Sequence, residues 1–182
     1  MKILIAVLVF LFIISINISI LCFEPIFSII NDNDDAINVL RYVNGQNFDL
    51  NFFTENEILH LNDVKIIINI FKYYAKIGFV LLLLSIFTEK TKFVVNSIKI
   101  SSILILSFSF FMLLYSVFFF ENFFTTFHKI FFPKGNWLFE YNSKLIQLFP
   151  LDFWYKIALI FILMNIFDGI ILLYLHHSIA KN

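Results

Sequence analysis

The residues from Ile3 to Phe23 form a mostly apolar stretch that carries no charge. A helix needs roughly 20 such residues to cross the hydrocarbon core of a bilayer, so this run alone argues against a soluble fold. Three further runs have the same character. Val64 to Phe87 is apolar apart from Lys65, Lys72 and Lys76; Ile98 to Phe120 carries only Lys99, near one end; Tyr155 to Leu175 carries Lys156 at its start and Asp168 inside. Backbone amides in lipid must be satisfied within their own segment, so each run is expected to be a helix. Composition points the same way: 60% of the 182 residues are hydrophobic and 14% charged, where a soluble domain has about 45–50% and about 25%. The expected architecture is an all-α integral membrane protein, one membrane domain over 1–182, with four transmembrane helices at about 3–23, 64–87, 98–120 and 155–175.

The first run is too long for the apolar region of a signal peptide, and no small-x-small cleavage site follows it. Leu21 precedes Cys22, where a lipoprotein signal wants a small side chain, so an uncleaved helix is expected. The lone Cys22 cannot make an internal disulfide. Lys2, Lys90, Lys92, Lys99 and Lys181 fall on one side of the membrane against Glu89. The positive-inside rule then places both termini in the cytoplasm and the segments 24–63 and 121–154, with short helices, outside. The 13 basic and 13 acidic residues cancel, leaving no global field to attract nucleic acid.

Chemistry is therefore sought in the two outer segments. Asp32, Asp34 and Asp35 precede an Ala36–Tyr42 run closed by Gly45, which is helix punctuation; a calcium loop would need a spacing and a terminal glutamate that are missing. Thr54-Glu55-Asn56-Glu57 is a capping box, and a helix is expected from Thr54 through Phe87, about 50 Å long. On it Glu57, His60 and Asp63 are spaced by three and share a face. A carboxylate beside an imidazole can fix its tautomer and raise its basicity; a plain solvated polar face is the alternative. In the second segment Phe120, Phe123, Phe124, Phe127 and Phe131 recur at helical spacing and are expected to face lipid, with Glu121, Thr125 and His128 on the opposite stripe. Trp137, Tyr141, Trp154 and Tyr155 fit an aromatic belt. Lys72 and Lys76 suit snorkelling or an anionic lipid head. Asp168 needs a partner inside the bundle, with Ser97, Lys99 and Ser101 as candidates, and His176 and His177 suit a helix C-terminus. There is no G-x-S-x-G elbow, S-x-x-K, H-E-x-x-H or phosphate loop, and the four histidines and one cysteine do not have metal-site spacing.

Two stretches carry a resemblance. Phe53-Thr54-Glu55-Asn56-Glu57-Ile58-Leu59-His60-Leu61-Asn62-Asp63-Val64-Lys65 supplies an H-x-x-D-V-K element. Phe127-His128-Lys129-Ile130-Phe131-Phe132-Pro133-Lys134-Gly135-Asn136-Trp137-Leu138-Phe139 supplies F-H-x-x-F-F and W-x-F. Together with the span pattern they resemble the bacterial four-span family that includes the lipoprotein intramolecular transacylase. Leu61 stands where a methionine is usual, and the turn at 133–136 is more basic than the family's. The resemblance implies transfer of the sn-2 acyl chain of a lipoprotein's diacylglyceryl group to the α-amine of its N-terminal cysteine, giving a lyso-form lipoprotein. It implies diacylated bacterial lipoproteins and membrane lipids as partners, the bacterial cytoplasmic membrane as location, and no cofactor. In that reading His60, oriented by Asp63 or Glu57, and His128 divide the base and acid roles, with His60 favoured as base. Trp137, Arg41 and Tyr42 shape the pocket or hold a lipid phosphate or carbonyl. A non-catalytic membrane module that binds lipoproteins or lipid heads, or a different outer-leaflet acyl or phospholipid transferase, are the alternatives.

Overall fold

The computed structural model describes residues 2–85 and 92–181, and every regular element among them is a helix. In chain order these are α1 (Lys2–Leu21), α2 (Glu24–Ile30), α3 (Asp34–Val43), α4 (Glu55–Ser85), α5 (Lys92–Phe118), α6 (Phe120–Phe131), α7 (Lys144–Leu148) and α8 (Leu151–Lys181). Three are long and apolar enough to cross a membrane: α1, the Val94–Phe118 part of α5, and α8. The chain is thus a multi-pass membrane protein. The expected second span lies in α4, which runs for 31 residues, about 46 Å, but is not among those three. The far end of that span, with Glu89 and Lys90 of the basic link, lies outside the described residues. The apolar run expected to continue as one helix to Phe120 breaks two residues early: Phe119 takes φ −143° and ψ 47° and caps the separate helix α6.

By its internal packing the chain divides into two compact units. The first comprises 1–19, 71–114 and 160–182. Small side chains bring its helices close. Ser101 Oγ donates to Ala6 O at 3.2 Å and Ser97 Oγ to Lys2 O at 3.2 Å, joining α5 to the backbone of α1. Small residues with polar tips are the usual contact between helices that lack a hydrophobic driving force. These bonds also correct an expectation, since Asp168 pairs with neither serine nor with Lys99. Its carboxylate accepts from Asn17 Nδ2 at 2.8 Å, and Asn17 lies 3.3 Å from Asn165 Oδ1. Asn17 and Asn165 are both almost completely buried, so the polar groups of α1 and α8 satisfy each other. Gly78 lies directly on Phe12, leaving no room for a β-carbon. Gly78→Ala is expected to destabilise this unit by about 1–3 kcal/mol through overpacking, read as a lowered thermal midpoint of the detergent-solubilised protein. An unchanged midpoint would show that the contact with Phe12 is not needed.

The second unit comprises 20–70 and 115–159. Its core is built around Phe27, Val39, Leu40, Phe53, Leu61, Leu145, Leu148 and Phe153. Helix α3 buries Ala36, Val39, Leu40 and Val43, the i, i+3, i+4, i+7 stripe of an amphipathic helix. The acidic run contributes Asp34 and Asp35 to its first turn, but the cap is Asn33, whose side chain accepts from the Asp35 and Ala36 amides. Gly45, at φ +101°, turns the chain after α3. Asn44 Nδ2 donates to Cys22 O at 2.8 Å and Asn31 Nδ2 to Leu148 O at 3.0 Å, pinning the connections.

Candidate active site

The capping box at the start of α4 forms as its sequence dictates. Thr54 N and Thr54 Oγ1 donate to Glu57 Oε2 at 2.8 and 2.9 Å. The second carboxylate oxygen of Glu57 accepts from Leu145 N in α7, at 2.9 Å. Burial opposes the charge, but the bonds from Leu145, Thr54 and Ser143 together hold the Glu57 carboxyl below its usual range. Glu57 is only 1% exposed. It thereby joins the starts of α4 and α7, and among the described residues no hydrogen bond ties it to His60, which corrects the expectation that it orients that ring. Both its oxygens are engaged by donors that come from elsewhere.

One turn further along α4, His60 is buried at 8% exposure, and His128 of α6 is buried at 7%. Their rings face each other with centroids 5.9 Å apart and planes inclined by 29°. Aromatic side chains enclose the pair. Phe132 and Phe139 lie 4.7 and 5.5 Å from His60, and Phe124 and Trp137 lie 4.0 and 4.9 Å from His128. The two histidines singled out in separate segments therefore meet. The lipid-facing stripe expected on α6 is corrected in one respect. Residues four apart on a helix are offset by only about 40°, so Phe124 and His128 share a face, and Phe124 covers the imidazole.

The environment sets the protonation of both rings. Burial disfavours charge on an imidazole. It pushes His60 down from its ordinary value of 6.5 to about 4, helped by the neighbouring His128 and only partly opposed by the Asp63 carboxylate. Burial likewise lowers His128, against the raising effect of its bond to Phe124 O. At neutral pH the site holds two uncharged imidazoles. The bond from His128 Nδ1 to Phe124 O, 2.8 Å long, fixes the tautomer. A carbonyl only accepts, so Nδ1 carries the hydrogen and Nε2 of neutral His128 presents a lone pair. His60 Nδ1 is buried and has no hydrogen-bond partner among the described residues.

Asp63 does not orient His60 directly, which corrects the expected dyad. Its carboxylate accepts from Asn136 Nδ2 at 2.8 Å and from Lys134 Nζ at 3.3 Å; the Asn136 bond first, and Lys134 with it, keep it below the usual carboxylate range. Asp63 acts on His60 only through space. Trp137 stands at the site, against His128. Tyr42 lies against α4, its hydroxyl donating to Asn62 Oδ1 at 2.6 Å and its ring under Lys65 Nζ at 4.3 Å. Arg41 is held by Glu24 and Asn38, and no bond joins it to either histidine among the described residues. Phe132, Phe139 and Asn136 are site residues that spacing did not single out. Among the described residues no group of three or more His, Cys, Asp or Glu side chains gathers as metal ligands.

Fold and site together define a multi-pass, all-α membrane protein carrying a buried pair of neutral histidines. The profile of the lipoprotein intramolecular transacylase family, Lit, matches residues 28–154. The chain belongs to this family. A protein of Aquifex aeolicus described as uncharacterised is 26% identical over 128 residues, covering 67% of this chain and 55% of that protein; the match thus spans little more than half of that relative. The crystal structure of the membrane integral lipoprotein intramolecular transacylase from Bacillus cereus superimposes with a TM-score of 0.76 at 21% identity, over 99% of this chain and 94% of that one. A variant of the same Bacillus protein with arginine in place of one histidine superimposes with a TM-score of 0.62 at 20% identity, over 99% and 90% of the two chains.

Proposed function

We propose that this chain is an acyltransferase that moves the sn-2 acyl chain of a diacylated bacterial lipoprotein to the α-amine of its N-terminal cysteine. The observation that carries the reading is the contact between two buried, uncharged imidazoles inside an aromatic enclosure, in a chain of this family. The attacking amine, with an ordinary pKa of about 7.7–8, must surrender a proton, and histidine is suited to take it. Donor ester and acceptor amine belong to one molecule, so positioning replaces a second binding event and no covalent enzyme intermediate is required.

The bond from His128 Nδ1 to Phe124 O supports a division of roles different from the sequence expectation. His128, with its Nε2 lone pair free of a proton, is the base. The amine nitrogen attacks the ester carbonyl as one of its hydrogens passes to His128. His60, held uncharged, donates an N–H to the oxyanion of the tetrahedral intermediate. Collapse breaks the bond to the glycerol oxygen, and His128 returns the proton to that oxygen. One proton circulates, and both rings end as they began. A neutral imidazole serving as hydrogen-bond donor to an oxyanion needs its pKa depressed, and burial beside a second imidazole supplies that.

The same reading includes a fourth crossing that begins at about residue 64 of α4, both termini in the cytoplasm, and a site facing the extracytoplasmic leaflet. It is supported by the distribution of lysines and by the location of the substrate it names.

The test is an assay of the purified protein with a synthetic diacylated lipopeptide. Product and substrate are isomers, so intact mass does not change. Tandem mass spectrometry is expected to find one acyl group on the cysteine nitrogen and a lyso-glyceryl group on sulfur. Binding without rearrangement would leave a lipoprotein-binding module instead. The pH profile checks the protonation states. Below the amine pKa, kcat/KM is expected to rise about tenfold per pH unit and to level near 8, following the neutral amine. No inflection is expected near 6.5, because His60 gains its proton only around pH 4 and burial lowers His128 as well. An imidazole inflection near 6.5 would contradict a neutral pair.

A further inference from the structure

Among the described residues, two polar atoms of the second unit are buried without a hydrogen-bond partner: His60 Nδ1 and Asn136 Oδ1. Folded interiors leave few such atoms, and each calls for a cause. His60 belongs to the ring pair. Asn136 so far serves only to hold Asp63.

The orientation of the Asn136 amide follows from its partner. A carboxylate only accepts, so the Asn136 nitrogen must face Asp63, and it does, at 2.8 Å. The carbonyl oxygen is thereby directed elsewhere, as an acceptor with no donor. Asn136 is linked to both histidines through its neighbours. Its neighbour Trp137 lies 4.9 Å from the His128 ring, and Asp63 lies one turn from His60 on α4. A ligand that brings an N–H to this place would complete the amide.

We propose that Asn136 Oδ1 accepts a hydrogen bond from the α-amine of the substrate cysteine and aims its lone pair; this rests on the transacylase reading. The chemistry asks for such a group. A neutral primary amine carries two hydrogens and one lone pair. The lone pair forms the new C–N bond, one hydrogen leaves to His128, and the other remains in the amide product. An acceptor on the retained hydrogen turns the lone pair toward the carbonyl and the departing hydrogen toward the base. An amide oxygen suits this better than a carboxylate. A carboxylate in contact would stabilise the ammonium form, which has no lone pair to attack with. Asn136 stands between Asp63 and that position, so the carboxylate fixes the amide without touching the amine.

The test crosses an enzyme change with a substrate change. Neutral N-methyl cysteine keeps only one hydrogen, which must go to the base, so it has none left for Asn136. Lipopeptides with a free and an N-methylated cysteine amine are assayed on the wild-type protein and on Asn136→Ala. Methylation is expected to lower kcat/KM of the wild type on the order of 10-fold more than that of Asn136→Ala, the equivalent of one hydrogen bond. Equal methylation effects in the two proteins would overturn the proposal, because a role confined to holding Asp63 does not sense substrate hydrogens. The exchanged pair Asp63→Asn with Asn136→Asp guards against a folding defect. It restores the bond between the two positions and puts a carboxylate oxygen where Oδ1 was. It is expected to recover the coupling and to move the pH profile upward, since the charge now favours the ammonium. Recovered folding without coupling also overturns the proposal. A wild type that leaves the unmethylated lipopeptide unchanged would instead remove the transacylase reading itself.

Discussion

Replacing His128 by alanine is expected to lower kcat by about 10²–10⁴-fold, the range supplied by a positioned general base. The residual rate would come from holding ester and amine together. His60→Ala is expected to fall in the same range through loss of an oxyanion donor, and the double variant to be far less impaired than the product of the two, as for groups that act on one transition state. Glutamine separates the roles. Its amide can donate to an oxyanion but cannot take a proton, so His60→Gln should retain more activity than His60→Ala, whereas His128→Gln should be as impaired as His128→Ala. Tandem mass spectrometry of the lipopeptide product supplies the rates. Equal retention by the two glutamine variants would sink the division of roles, and full activity in both alanine variants would sink the site.

The second large effect is on stability. Glu57→Ala is expected to destabilise the protein by about 2–4 kcal/mol, because the Leu145 amide would be left buried and unpaired at about 1–3 kcal/mol and the more exposed bond from the Thr54 amide would be lost at about 0.5–1.5 kcal/mol. Glu57→Gln should cost less. One oxygen remains for Leu145 N, but its NH2 group would face the Thr54 donors. Thermal unfolding of the solubilised protein measures both. If Glu57→Ala unfolds at the wild-type temperature yet loses activity, the carboxylate belongs to the chemistry and not to the architecture.

The histidines were legible because each lay in a segment with its own local signal. The capping box at Thr54 marks the start of α4 and so the face that bears His60. The aromatic run ending at Pro133 marks α6 and His128. The bonds that surround them were not legible. Helical spacing placed Glu57 and Asp63 beside His60, and it did so correctly as far as one helix goes. The partners that claim those carboxylates, Leu145 and Asn136, come from a distant segment, and nothing in local periodicity announces them. Distance along the chain hid the polar contact of α1 in the same way: Asp168 announced a partner, but Asn17 gave no signal in a run read for its apolar character. The break at Phe119 escaped because phenylalanine is as apolar in a cap as in a helix, so hydropathy runs straight through it.

The pairing of Asn17 with Asp168 spans 151 residues. At roughly 5–20 residues per second of synthesis, the amide is made about 8–30 s before the carboxylate. For that interval the first helix has a polar side chain without its native companion. The clasp closes only once α8 has been made, so the order of manufacture makes that helix the keystone of the lipid-embedded framework.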